Sequence, residues 1–325
     1  MAVATKEKAE MRNVKEAVRS LLPWGDAGID VTEEKTVDGI LKKSELNWNL
    51  ERCPMKAQRA DGKLVDVPSK FAHIRSTDGK LITTSGPVWR SPDNKSIVKF
   101  MKEYAASSNT ILESVGSLRD GSIIWGLIRL KKHFVIGKDD RVNGYTLLTV
   151  PHKVGSAIDL QTISLRLACL NGMGQADQGE IQYRQNHMTD FNFDEAKKRV
   201  LIAHRSMENA ERNANIIAKL KLSIDDAVRK VLAPVFVPSI VNNKEAMKLI
   251  MTPEGMPKRI AQIVDSIEHA PGAVPGTGWG VMNGVTHYSD HVLGHNARTR
   301  MFRSWLGDMS SKKLEVEQKL LDLAS

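Results

Sequence analysis

The chain has 325 residues, 41% hydrophobic and 26% charged, which is ordinary globular composition for one large domain or two modest ones. No run of eighteen apolar residues exists, so no membrane span is expected, and the charged start "MAVATKEKAEMRNVKEAVRS" lacks the apolar core of a secretory signal. Two cysteines, Cys53 and Cys169, form neither a zinc spacing nor a disulfide framework, and a reducing cytoplasm fits them best, while the net charge of +9 favours polyanionic partners, nucleic acid first.

In chain order, residues 6–22 read as a helix closed by Pro23 and Gly25, and residues 26–70 are mixed and weakly patterned. "FAHIRSTDGKLITTS" (71–85) reads as a hairpin around Asp78-Gly79, and "SPDNKSIVKFMKEYAAS" (91–107) as a short helix. Residues 109–137 read as two strands joined at Asp120-Gly121. Further strands follow at 143–154, 162–170 and 179–187, and such short connections favour an antiparallel meander. Residues 192–223 open with Asn192 and Glu195 at capping-box spacing. A narrow seam then runs through Ala196, Val200, Ala203, Met207, Ala210, Ala214 and Ile217, as expected of one long helix. That helix either crosses the sheet or pairs with another helix. More helices are expected at 223–232, 242–268, 279–293, 296–306 and 311–323, with a Pro/Gly linker over 270–280. The expected architecture is α+β: an antiparallel β-meander with a long helix packed on it, then a helical C-terminal region. The segments are 1–70, 71–222 and 223–325.

The glycine-rich stretches "GAVPGTGWG" (272–280) and "NGMGQADQG" (171–179) lack the Gly-Lys-Ser/Thr ending of a phosphate loop and read as plain loops, which disfavours an ATP-driven motor. "DVTEEK" (30–35) reads as a solvated charge cluster without the partner acid that a metal nuclease needs. His287, His291 and His295 stand four residues apart. They read chiefly as a helix face, with phosphate contact or a metal as alternatives, because Tyr288 stands where a metal peptidase has glutamate. Cys169 reads as a packed thiol, and no catalytic group, metal site or cofactor is expected.

The basic β region carries the binding expectation. From Gly121 to Lys138 there is no acid, and Arg129, Lys131, Lys132 and Lys138 are interleaved with Trp125 and Phe134. Arg141, Lys153, Arg166 and Arg184 fall in or beside neighbouring strands, and alternation turns Arg166 away from the Ile163/Leu165 face. Cations that track a backbone and rings that stack bases are how single strands are held. The opposing reading is a solvated sheet face. Arg298, Arg300 and Arg303 form a secondary basic patch.

Five stretches in order resemble a phage- and plasmid-encoded family filed as domain of unknown function 932. They are "ESVGSLRDGSIIWGLIRL" (113–130), "GYTLLTV" (144–150), "LRLACLNGM" (165–173), "YRQNH" (183–187) and "GTGWGVMNGVTHYSDH" (276–291). The resemblance covers roughly residues 70–310 and implies a mobile-element protein, without an established activity. Its last block contains Thr286, Tyr288, Asp290 and His291 but not His287 or His295, so it implies a polar pair or subunit contact at Asp290/His291. By fold-level analogy, a basic sheet backed by a long helix looks like single-strand annealing proteins of the Rad52/Red-beta kind. That analogy puts phosphates on Arg129, Lys131, Lys132, Arg166 and Arg184, with Trp125 and Tyr183 touching bases or packing. The expected function is ATP-independent annealing of single-stranded DNA, with RNA left open, by a homo-oligomer. A phage exonuclease or single-strand-binding protein is its expected partner. The alternatives are a protein-interaction factor and a metal-dependent nucleic-acid enzyme.

Overall fold

The computed structural model describes residues 24–325 except 26, 108, 167–170, 176–182 and 199. The expected helix over 6–22 and Cys169 lie outside the described residues. The weakly patterned stretch after them is structured. It holds strand β1 (Gly28–Asp30), helix α1 (Val37–Lys43) capped by the Thr36 hydroxyl, and strand β2 (Leu50–Gln58). β2 pairs antiparallel with β3 (Leu64–Arg75), and β4 (Leu81–Ser85) adds to β3 across the expected Asp78-Gly79 turn. The β2–β3 ribbon escapes pattern reading because every residue from Lys56 to Asp66 is exposed, so neither face alternates with the other.

Helix α2 (Asn94–Ser107) follows and buries Ile97, Val98, Phe100, Met101 and Tyr104. The main sheet is then laid down as β5 (Ile111–Leu118), β6 (Ile123–Ile136), β7 (Asp140–Pro151), β8 (Ile158–Arg166), β9 (Asn171–Gln175) and β10 (Tyr183–Gln185). Its order is β1-β5-β6-β7-β8-β10 with β9 also on β8, antiparallel throughout, which is the expected meander. Both faces are covered. Ile124 and Ile128 of β6 pack with Leu148, Leu160 and the α1 and α2 side chains, while Ile123, Trp125 and Leu127 pack on the opposite face. This double burial explains why "IIWGLI" is a continuous apolar run.

The chain then turns helical. α3 (Phe193–Lys198) begins where the Asn192 side chain accepts from the Glu195 N–H at 2.9 Å, and α4 (Val200–Lys219) continues it. Ala196, Met207, Ala210, Ala214 and Ile217 of the expected seam are buried. Met207 lies over Gly144, where a Cβ would come within 2.7 Å of its sulfur, so α4 crosses the sheet closely. α5 comprises Ile224–Ala227 and Ala233–Phe236 around a π-turn, Val228–Leu232.

The helix expected over 242–268 is two: α6 (Lys244–Ile250) and α7 (Lys258–His269). The break contains Pro253 and Pro257, and Pro257 caps α7 with an extended ψ of 134°. α8 (Gly278–His287) runs into a π-turn, Tyr288–Val292, and the chain leaves it through Gly294 at φ +85°. α9 (Ala297–Trp305) and α10 (Asp308–Ala324) close the structure. α4, α5, α7, α8 and α10 share one core with the far end of the β6–β7 hairpin, so the long helix both crosses the sheet and pairs with helices. The fold is mixed α+β. Among the described residues, no helix is long and apolar enough to cross a membrane.

Candidate functional site

The expected sheet surface divides into three groups. Two members are interior. Trp125 is fully buried, its ring packed against Gly28 and Gly116, where a Cβ would approach it to within 2.5 and 2.9 Å. Arg166 is 2% exposed. It does point away from Ile163, as alternation requires, but that face is covered by the C-terminal helices. Its Nε donates to both Asp140 carboxylate oxygens at 2.6 Å, and its Nη2 donates to the Gly272 carbonyl at 2.8 Å. Trp279 Nε1 donates to the same carboxylate at 2.8 Å. This buried pair ties the "LRLACLNGM" and "GTGWG" stretches to the start of β7, a structural role that replaces the expected phosphate contact.

The second group is paired, with Arg184 exposed and Arg129 and Lys132 half-buried. Arg129 meets Glu113 at 3.3 Å, Lys132 meets Glu208 at 2.7 Å, and Arg184 meets Asp159 at 2.6 Å. Tyr183 is half-buried against Phe191 and donates its hydroxyl to Gln185 at 2.6 Å. The third group, Lys131, Lys138, Arg141 and Lys153, is exposed. Three of these sit at the turn end of the β6–β7 hairpin beside exposed His133 and Val135.

The histidine series also divides. His287 and His291 stack at 5.1 Å, and burial lowers the pKa of His287, with His291 adding to the effect. His295 lies beyond Gly294 in a different place. Among the described residues, no group of three His, Cys, Asp or Glu side chains is placed to hold a metal ion. Asp290 faces inward. Its Oδ1 accepts from Lys313 Nζ at 3.1 Å and from Ser289 Oγ at 3.1 Å, and it also bonds Ser304, whose hydroxyl lies 2.5 Å from that ammonium. Both ion-pair partners are wholly buried. Burial lowers the Lys313 pKa, and the Asp290 charge opposes that shift.

That network ties α9 to the π-turn and to α10. Met301 and Trp305 of α9 enter the core beside Trp24 and Trp125, and Asn296 caps the helix by accepting from Thr299 N–H at 2.9 Å. The outer side of α9 then faces the β5–β6 turn. In this turn Arg119, Asp120 and Gly121 have φ of +49°, +56° and +88°, a run that only an Asp-Gly-like sequence adopts cheaply. Between them lies a groove of about 630 Å³ lined by Arg119, Asp120, His295, Asn296, Arg298, Thr299, Arg300 and Phe302. Arg119 lies over the Phe302 ring at 3.7 Å, and Arg300 donates to the Asp290 carbonyl at 3.1 Å. No salt bridge joins Arg119, Arg298 or Arg300 to a carboxylate among the described residues.

A second hollow of about 370 Å³ adjoins it and shares Asp120 and Arg298. Lys43, Arg75 and Lys80 line it, with Glu45, Trp48 and Gly121. Here the cations are paired: Lys43 with Glu34, Arg75 with Asp78, and Lys80 with Asp120. The sequence reading had Arg298 and Arg300 of this site and allowed phosphate contact at His295, but missed Arg119, Lys43, Arg75 and Lys80. The one available signal was Arg119 beside the Asp-Gly turn. The remaining residues come from segments up to 255 positions apart, from Lys43 to Arg298.

Fold and site define an α+β protein whose sheet is buried on both faces and whose cationic recess lies at one end, between a strained turn and a helix start. The family model described as Domain of unknown function (DUF932) matches residues 83–312, and the chain belongs to that family. The match takes in β5–β10 and α2–α9, while Lys43, Arg75, Lys80 and Lys313 lie outside it. No curated protein and no solved structure matches the chain.

Proposed function

We propose that this protein binds nucleic acid, holding one strand by its phosphates in the groove between the β5–β6 turn and α9. The observation that carries the reading is the convergence of Arg119, Arg298 and Arg300 in a concave site with no carboxylate salt-bridged to any of them. Guanidinium groups bind phosphate oxygens through paired N–H donors, and a recess brings several to bear on one chain. The volume falls among small-ligand sites of about 300–1,000 Å³, which suits one strand and not a duplex. Phe302 stacks under Arg119 and holds its guanidinium at the groove. Pairing of complementary strands without ATP, by an oligomer, is the activity proposed to follow from such binding.

The test is binding of a labelled single-stranded oligonucleotide across a salt series, with Arg119→Glu/Arg298→Glu as the variant. Wild-type affinity should fall steeply with salt, because each neutralised phosphate releases counterions. The variant should bind about a hundredfold more weakly at low salt while keeping its circular dichroism spectrum. Addition of the unlabelled complement then reads annealing. Absence of wild-type binding at low salt rejects the reading and leaves the groove as a docking site for an acidic protein.

A further inference from the structure

Asp120 is out of place in a phosphate site. It and Arg298 are the residues common to both hollows, so it stands where they join. Its Oδ2 accepts from Lys80 Nζ at 2.8 Å, and its backbone carbonyl accepts from Arg75 at 3.0 Å. The Lys80 hydrogen bond and charge hold its carboxyl below the usual range, with smaller contributions from Arg75 and Arg298. Its side chain is 69% exposed, so core packing does not require it. The left-handed backbone at Arg119, Asp120 and Gly121 and the Arg75 bond to the Asp120 carbonyl both fix the turn, and neither uses the carboxylate.

We propose that the Asp120 carboxylate is a built-in stand-in for a phosphate. In the free protein it occupies Lys80 and closes the junction between the two hollows. A bound strand displaces it and gains Lys80 as a further phosphate contact. This rests on the groove being the nucleic-acid site, and it specifies the ligand: a chain long enough to cross from one hollow to the other. A mononucleotide fits in one hollow and gains nothing from the displacement. The carboxylate also raises the threshold for binding, because only successive phosphates outcompete a tethered anion for the same ammonium.

Asp120→Asn separates the carboxylate from the turn, since asparagine accepts left-handed backbone as readily as aspartate. For a ten-nucleotide single strand, the variant should bind about three- to tenfold more tightly than wild type. Its salt slope should match that of wild type, because Lys80 meets a phosphate in both complexes. For a nucleoside monophosphate the two proteins should bind alike. Adding Lys80→Ala to the variant should abolish the gain. Weaker or unchanged binding of the ten-mer by Asp120→Asn, or a gain that survives loss of Lys80, overturns the proposal while wild-type binding keeps the groove reading intact. If neither protein binds any strand, the groove reading itself has failed.

Discussion

The two ends of strand β6 are both basic, and they differ in almost everything else. At its start, Arg119, Arg298 and Arg300 line one hollow. At its far end, Lys131, Lys138 and Arg141 are exposed around the turn of the β6–β7 hairpin. The cations of β6 are legible in the sequence because no acid falls between Gly121 and Lys138, whereas the hollow is assembled from two segments, 119–120 and 295–302, far apart in the chain. A convex tip leaves each charge in bulk water, screened within about 10 Å at ordinary salt. A concave wall of low dielectric focuses several charges on one ligand. On the proposed reading, curvature counts for more at such a site than cation density along the chain.

The largest test of this contrast concerns what holds the groove in shape. Lys313 and Asp290 are wholly buried, and Ser304 of α9 bonds both. Lys313→Ala removes the ammonium while leaving the carboxylate inside. The expected loss is about 3–5 kcal/mol, read as a lower urea midpoint with an unchanged m-value. Strand binding should fall with it below the unfolding transition, because α9 loses one anchor. Lys313→Met/Asp290→Leu should recover most of the stability, since an apolar pair needs no compensation for buried charge. A midpoint within about 1 kcal/mol of wild type for Lys313→Ala would show the pair to be dispensable.

Next in size is an effect of pH on the groove end alone. His73, His152 and His187 gather there, with Trp89 between His73 at 4.5 Å and His187 at 5.2 Å. The Asn94 side-chain amide donates to the Leu46 and Trp48 carbonyls, so its oxygen is free to accept from His152 Nε2 at 2.9 Å. Ser91 then donates to His152 Nδ1 at 2.7 Å, which fits the neutral ring. Burial, reinforced by His187 and His73 and opposed by Asp93, pushes the His152 pKa down to about 3. Burial lowers His73 first, with Arg52 adding to it. Burial also lowers His187, against two backbone hydrogen bonds that raise it.

The unfolded chain takes up protons near pH 6.5 and the folded chain does not. Stability is therefore full above about pH 6.5 and declines as pH falls towards 3, by about 2 kcal/mol at pH 5 from His152 alone. Hydrogen exchange, corrected for intrinsic rates, should show amides around Asn94, Ser122 and His152 losing more protection at pH 5 than those of the hairpin tip. Equal loss at both ends would mean that the histidines report only global unfolding.

How much of this was legible follows from burial. The strands from β5 to β8 and α2 were readable because turns at Asp78-Gly79 and Asp120-Gly121 punctuate strong apolar runs. The β2–β3 ribbon was not, since its exposed residues leave no pattern. A helix over 242–268 was over-read because apolar spacing continues across a break that only the prolines betray. At the site, alternation correctly put Arg166 opposite Ile163 but could not tell a solvated face from one covered by helices arriving a hundred residues later, at Gly272 and Trp279. Trp125 was misplaced for the same reason. One strand cannot reveal that Gly28 and Gly116 clear space for its ring.

The smallest expected effect is the one that decides between the two ends. Lys131→Glu/Lys138→Glu reverses two exposed charges at the tip, the same number as the groove variant reverses. Neither residue has a folded role to lose, as both side chains are exposed. If the groove carries the strand, the tip variant should bind within about threefold of wild type at low salt, from long-range repulsion alone, and the difference should vanish near 0.5 M salt as screening shortens. A loss greater than that of Arg119→Glu/Arg298→Glu would move the site to the hairpin end, where the acid-free stretch from Gly121 to Lys138 placed it. Equal effects at both ends would describe a strand that runs the length of β6, some fourteen residues of extended chain or roughly 45 Å.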